Sequence, residues 1–344
     1  MSRGRPLTVN ILLAGTELFG GVVVALHMAN LLHRRGHEVR VLSPEDRPDW
    51  YRLEAAFVKL DRLSPEVIPP AQVTVATYWT TIEPAYAAGN AEVVHYCQGF
   101  EGEYLHNVED HAAILAAYAK PVPAWAVSPH LAELVRNRFG RPVRLLRPGL
   151  RPGWRPRRWG APRSVPRILV EQPYENYWKG VRTALQAVVE LRRRGVSLQL
   201  IRLSQWPLGD AERTIVEPDE FHEHLLPNDV PRLMRSCDLL LAPSWQQEGF
   251  GLPVLEAMAS GVPVVATDIP AFRGFAADAA TLVPPRDPQA LADAAQAVLG
   301  DRQRWRRMRR AGLEVARHFS EQVTADAAEE ALFWVAEGRW RSEP

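Results

Sequence analysis

The chain has almost no cysteine, no long apolar run and almost no surplus of charge. With Cys97 and Cys237 alone among 344 residues, a framework of several disulfides is excluded. Both lie in apolar stretches that read as strands, the usual surroundings of buried free thiols in a cytoplasmic protein. No stretch approaches the ~18 apolar residues of a spanning helix. Residues 7–14 are too short and run into Gly-Thr-Glu without a small-residue cleavage site, so they fit a first strand better than a leader. A formal net charge of +1 gives no reason to expect a nucleic-acid partner, and 47% apolar with 24% charged residues excludes a disordered chain. The Gly20-Gly21 pair lacks the G-x-G-x-x-G spacing of a dinucleotide site. Asp-x-Asp, the usual holder of a divalent cation on a diphosphate, does not occur, and His222-x-His224 has no third ligand at suitable spacing. No metal and no cofactor are therefore expected.

What is present is a doubled alternation of short apolar runs with helical patterns, the mark of parallel sheets covered by helices. Strands are expected at residues 9–14, 38–42, 73–77, 93–97, 124–127 and 143–146, with helices at 22–35 and from Ser128-Pro129 to about 138. Residues 147–166, rich in Arg, Pro, Gly and Trp and without periodicity, read as a linker. The alternation then restarts, with strands at 167–171, 198–203, 238–242, 262–266 and 280–283, helices at 180–194 and 230–235, and a helical tail in which Ser320 caps a final helix to about 337. The division is 1–150, 151–318, and a terminal helix at 319–344 that is expected to pack back toward the first domain. Two such domains leave a cleft between the carboxyl edges of their sheets.

The densest chemistry lies at Ser244 to Ala259, S-W-Q-Q-E-G-F-G-L-P-V-L-E-A-M-A, where Glu248 and Glu256 are separated by seven residues. An apolar strand, a glycine loop and a helix start bring the N–H groups of Gly249, Phe250, Gly251 and Leu252 and the positive end of a helix dipole toward one anion. One carboxylate can reach one side of a bound diphosphate and the other carboxylate the hydroxyls on its far side. Alone, two glutamates at this spacing would read as surface acids; the intervening G-F-G-L-P changes that.

Residues 248–267, E-G-F-G-L-P-V-L-E-A-M-A-S-G-V-P-V-V-A-T, closely resemble the signature of retaining GT-B glycosyltransferases, in particular glycosyltransferase family four. The resemblance implies an α/β fold of two Rossmann-like parallel-sheet domains facing a central cleft, a nucleotide-diphosphate sugar as donor, a hydroxyl acceptor and no metal. Glu248 would meet the donor sugar and Glu256 the ribose. Lys179-Gly180 is similar to the family's phosphate loop, but the arginine usual a few residues earlier is missing from residues 171–178, leaving Arg202 or a linker arginine to supply a second cation. The frame around Gly20-Gly21 looks like the family's N-terminal motif, which seats the acceptor or the donor phosphate. Gln98 stands where relatives often carry a His at a strand end, and resembles a branch that includes rhamnosyl-type transferases. His222 lies in a stretch resembling the base-recognition turn.

The resulting expectation is a metal-independent glycosyltransferase of glycan, polysaccharide or glycolipid synthesis, with Glu248, Lys179 and Gln98 at the chemistry. The rivals are a phosphorylase or synthase using phosphate or a sugar phosphate, and a non-catalytic nucleotide-sugar-binding subunit. Nine arginines without an acid at 141–167 and six at 302–310 could also draw the chain to an anionic membrane face. Nucleobase, sugar, acceptor and oligomeric state are open.

Overall fold

The computed structural model describes residues 5–158 and 160–342. They form two compact units, one of Met1–Gly149 with Glu321–Pro344, the other of Leu150–Ser320.

The first unit runs β1 (Thr8–Leu12), α1 (Gly20–Arg34), β2 (Glu38–Ser43), β3 (Ala56–Lys59), β4 (Val73–Ala76), α2 (Trp79–Ala88), β5 (Glu92–Cys97), α3 (His111–Tyr118), β6 (Ala124–Ala126), α4 (Pro129–Phe139) and β7 (Val143–Leu145). Its seven strands stand in the order β3-β2-β1-β4-β5-β6-β7, and every pairing is parallel. The central strands are buried along nearly their whole length, which is why they read as continuous apolar runs rather than alternations. α1 ends before Gly36, whose φ of 95° only glycine adopts without strain.

In the second unit the chain continues through β8 (Arg167–Glu171), α5 (Val181–Arg193), β9 (Gln199–Ser204), α6 (Asp210–Arg213), β10 (Glu220–Glu223), α7 (Val230–Arg235), β11 (Leu239–Ala242), α8 (Leu252–Ala259), β12 (Val264–Thr267), α9 (Pro270–Ala276), β13 (Thr281–Val283), α10 (Pro288–Gly300) and α11 (Arg302–Arg317). The order β10-β9-β8-β11-β12-β13 is again wholly parallel. From β8 the chain winds outward to β10 and then returns to β11 on the other side of β8. The carboxyl ends of β8 and β11 therefore mark the switch point, where loops diverge and open sheets bind ligands.

The last helix, α12 (Glu321–Ala336), belongs to the first unit. Ala328, Leu332, Trp334 and Val335 are buried, and Glu329 and Glu330 meet Arg35 and Arg144 at 2.8 and 2.7 Å.

Three expectations change. Gly20-Gly21, left outside the helix expected at 22–35, form the first positions of α1, because that helix starts earlier than its apolar periodicity does. His222, expected in a base-recognition turn, lies on the edge strand β10. The linker has no helix or strand among its described residues, yet much of it is tied down: Arg157 and Arg163 both reach the buried Asp238, at 2.8 and 2.9 Å, and Arg306 and Arg309 of α11 donate to the carbonyls of Gly160 and Arg157. An arginine run without acids of its own is thus largely spent on acids and carbonyls far away in sequence.

Candidate active site

The loop from β11 into α8 is built to a tight specification. Thr267, at the end of β12, donates its hydroxyl to the Ser244 carbonyl. Trp245 N–H donates to the Trp178 carbonyl at 2.7 Å, which joins this loop to the single 3-10 turn Tyr177–Lys179 after β8. Gly180 closes that turn at φ 65°, and a Cβ there would lie 2.1 Å from the Pro243 carbonyl oxygen. Only glycine allows this approach. It brings Lys179 Nζ to 2.9 Å from Glu248 Oε2.

Burial acts to raise the Glu248 carboxyl, but Lys179, the Ser244 hydroxyl and the Phe250 N–H together hold it below the usual carboxylate range. Glu248 is thus an anion at neutral pH, with its partner cation in place. Gly251, at φ 91° with the Phe272 ring where a Cβ would go, turns the chain into α8. Among the described residues, nothing in the chain accepts the N–H groups of Gly249, Gly251 and Leu252. Phe250 departs from expectation: its N–H goes to Glu248, and its ring stacks on Phe275 at 4.6 Å within the core. Its part is to shape the loop.

These groups open on a recess lined among others by Glu171, Gln172, Lys179, Ser244, Glu248 and Gly251. Glu256, farther along α8, lies 3.7 Å from an Arg151 guanidinium nitrogen. Burial raises the Glu256 carboxyl to about 6 against the pull of Arg151. Of the linker arginines, Arg151 is thus the one paired with Glu256.

Arg202 is corrected. It is fully buried and spends its guanidinium on Glu212 and on the carbonyls of Val170, Leu203 and Gln172. Four of its five N–H donors are taken in this way, and the side chain is shut off from solvent. It braces the corner after β8, where Gln172 sits at φ 93°, a conformation side chains rarely adopt. His222 lies on β10 in register with Leu203, 3.5 Å from Glu220, itself held by Arg167; no contact joins it to Lys179 or Glu248.

The remaining candidates sit in the first unit. Gln98 Nε2 donates to the Gly21 carbonyl at 3.0 Å, so Gln98 and the exposed start of α1 with Gly20 and Gly21 do come together. His95 is buried against Tyr118, and burial holds its imidazole well below its ordinary pKa, hence neutral.

Sequence reasoning missed Glu171 and Arg151. Glu171 could have been flagged as a polar residue ending the first strand of a parallel sheet; nothing in sequence distinguishes Arg151 from its neighbours.

Residues 167–301 match the family "Glycosyl transferases group 1". The chain is similar to a phosphatidyl-myo-inositol mannosyltransferase of Mycobacterium leprae, 33% identical over 174 residues that make up 48% of this chain and 46% of the relative. It is also similar to a D-inositol 3-phosphate glycosyltransferase of Nocardia farcinica, 34% identical over 185 residues, 52% and 39% of the respective lengths. The match thus spans less than half of either relative. Among solved structures, sucrose-phosphate synthase from Thermosynechococcus elongatus superposes with a TM-score of 0.80 at 17% identity, over 97% of this chain and 100% of that one. Anabaena Alr3699/HepE in complex with UDP-glucose gives 0.78 at 14%, over 95% and 99%. The second unit thus carries a glycosyl transferases group 1 domain, and the chain has the GT-B glycosyltransferase fold.

Proposed function

We propose that the protein is a metal-independent, retaining glycosyltransferase that moves a sugar from a nucleoside-diphosphate donor to a hydroxyl acceptor in glycan, polysaccharide or glycolipid synthesis. The observation that carries this reading is the Lys179–Glu248 pair at 2.9 Å beside the unused N–H groups of Gly249, Gly251 and Leu252. An ammonium has three donors, so Lys179 can keep Glu248 and still bind a phosphate oxygen. The loop N–H groups and the start of α8 take the other oxygens. Together they stabilise the diphosphate as it leaves, the task a metal performs elsewhere. Glu248, held ionised, faces the positive charge that grows on the sugar. Glu256, steadied by Arg151, accepts from the ribose hydroxyls. Transfer on one face of the sugar, with the leaving phosphate drawing the acceptor proton, gives retention. Gln98 and the Gly20-Gly21 start of α1 are assigned to the sugar and acceptor side.

Support comes from the relatives, named as mannosyl- and glycosyltransferases, and from a structural neighbour that holds UDP-glucose. The test is to incubate the protein with UDP, GDP and dTDP sugars and follow release of the nucleoside diphosphate, with NMR of the anomeric centre once an acceptor is found. Release from one donor class, with the product keeping its anomeric configuration, is expected. No release from any donor would leave a binding subunit instead, and inversion would remove the same-face mechanism.

A further inference from the structure

Glu171 ends β8 and lines the same recess as Lys179, Ser244 and Glu248. Its Oε2 is shut off from solvent and has no hydrogen-bond partner, an expensive state for a carboxyl unless a ligand completes it. The charges around the recess make the case sharper. Lys179 and Glu248 cancel, as do Arg151 and Glu256. Arg202 is consumed by Glu212. An ionised Glu171 would therefore leave a net negative recess, opposed to a diphosphate; a neutral one leaves it balanced and offers an O–H.

We propose that Glu171 serves this site as a carboxylic acid, donating a hydrogen bond to a phosphate oxygen of the nucleoside diphosphate in the place of a second cation. This rests on the nucleotide-sugar reading above. The groups that face Glu171 pull in both directions, and those that keep its proton prevail. Burial is the main influence keeping its proton, Glu256 on α8 adds to it, and Lys179 from the 3-10 turn and Arg202 from β9 oppose it, leaving the carboxyl at about 8. Ligand binding then draws on a proton that an ordinary glutamate has lost by neutral pH. Affinity should be full at pH 7 and decline as the proton leaves, by about tenfold per pH unit once above that value.

The experiment is calorimetric titration of UDP, GDP and dTDP into wild type, Glu171→Gln and Glu171→Ala at pH 7.0, 8.0, 9.0 and 9.5, with melting curves to check folding. For the nucleotide that binds, wild type should lose at least tenfold in affinity between pH 7.0 and 9.5. Glu171→Gln keeps a donor that cannot titrate, so it should match wild type within threefold at pH 7.0 and fall by pH 9.5 only as far as the nucleotide's own ionisation takes it, well short of the wild-type loss. Glu171→Ala should be weak throughout. Ionisation of the nucleotide itself is common to all three proteins and cancels. Parallel pH profiles for wild type and Glu171→Gln would overturn the proposal while leaving the nucleotide site intact. A folded Glu171→Gln that binds poorly at every pH would overturn it too, because a carboxylate acceptor would then be the requirement. Failure of all three nucleotides to bind wild type at pH 7.0 would defeat the nucleotide-sugar reading itself.

Discussion

In the first unit the turn after β1 is closed by Glu45, which accepts the Thr16 N–H and hydroxyl, and α1 then opens on bare Gly20-Gly21 with a glutamine amide beside it. In the second, the turn after β11 contains its own carboxylate, Glu248, with a lysine delivered from the neighbouring strand's loop. The same topological device, strand to glycine turn to helix, ties a carboxylate to the turn's own Thr16 in one unit and to a lysine from a neighbouring loop in the other. Buried acids differ too. Glu101 is raised to about 7 by burial, yet it is bonded by the Tyr118 hydroxyl and by the N–H groups of Trp79 and of its own residue, a finished piece of core. Glu171 is raised further and left with an open oxygen.

Glycine gives the strongest way to break this contrast. Gly180→Ala drives a Cβ into the Pro243 carbonyl at positive φ and should cost more than about 3 kcal/mol. Gly140→Ala in the first unit, at φ 62° with nothing within 4 Å of its Cβ, should cost about 1 kcal/mol. Urea unfolding of the two variants compares them directly, and equal losses would mean that the close approach is not what demands glycine after the 3-10 turn.

Next comes Lys179→Met, which leaves Glu248 with a buried and unpaired charge. A loss of about 2 kcal/mol at pH 7 is expected, largely recovered in Lys179→Met/Glu248→Gln. Because the folded carboxyl lies below its ordinary value, this stabilisation is present above that ordinary value and fades as pH falls through the folded one. A double variant no more stable than the single one would dissolve the pairing argument.

Glu256→Gln should weaken nucleoside diphosphate binding about tenfold at pH 7.5 while barely moving the melting point. Wild type should lose the same advantage as pH falls below about 6 and the carboxylate takes up its proton. Unchanged calorimetric affinity would transfer the ribose to another residue. The smallest effect is expected from EDTA. Among the described residues no group of three His, Cys, Asp or Glu could hold a metal ion. Activity should survive chelation, and loss restored by magnesium or manganese would reject the metal-free mechanism.

Much of the second unit was legible because its site is local: Glu248, the glycine loop and Glu256 lie on one strand-loop-helix, so spacing alone places them on one loop and the helix that follows it. Lys179 was found through resemblance, but its salt bridge to Glu248 joins residues 69 apart and leaves no mark in either segment. For the same reason Arg202 was misjudged. An arginine at a strand end looks like a ligand cation until β9 is packed between β8 and β10 and Glu212 is brought against it. Helix starts were misplaced where propensity and packing disagree, as at Gly20-Gly21, poor helix formers kept in the first turn of α1.

The return of α12 to the first unit bears on how the protein is made. Its contacts with Arg34 and Arg35 span almost 300 residues of chain. On the ribosome the second unit, continuous from Leu150 to Ser320, can fold before α12 has emerged, whereas the first unit waits with the surface that will receive Leu332, Trp334 and Val335 uncovered. Completion of the first unit is therefore a late, long-range closure, slower than its helices and local turns would give alone. A chain released before residue 321 should expose that apolar surface and aggregate, even though every residue assigned to the diphosphate has already been synthesised.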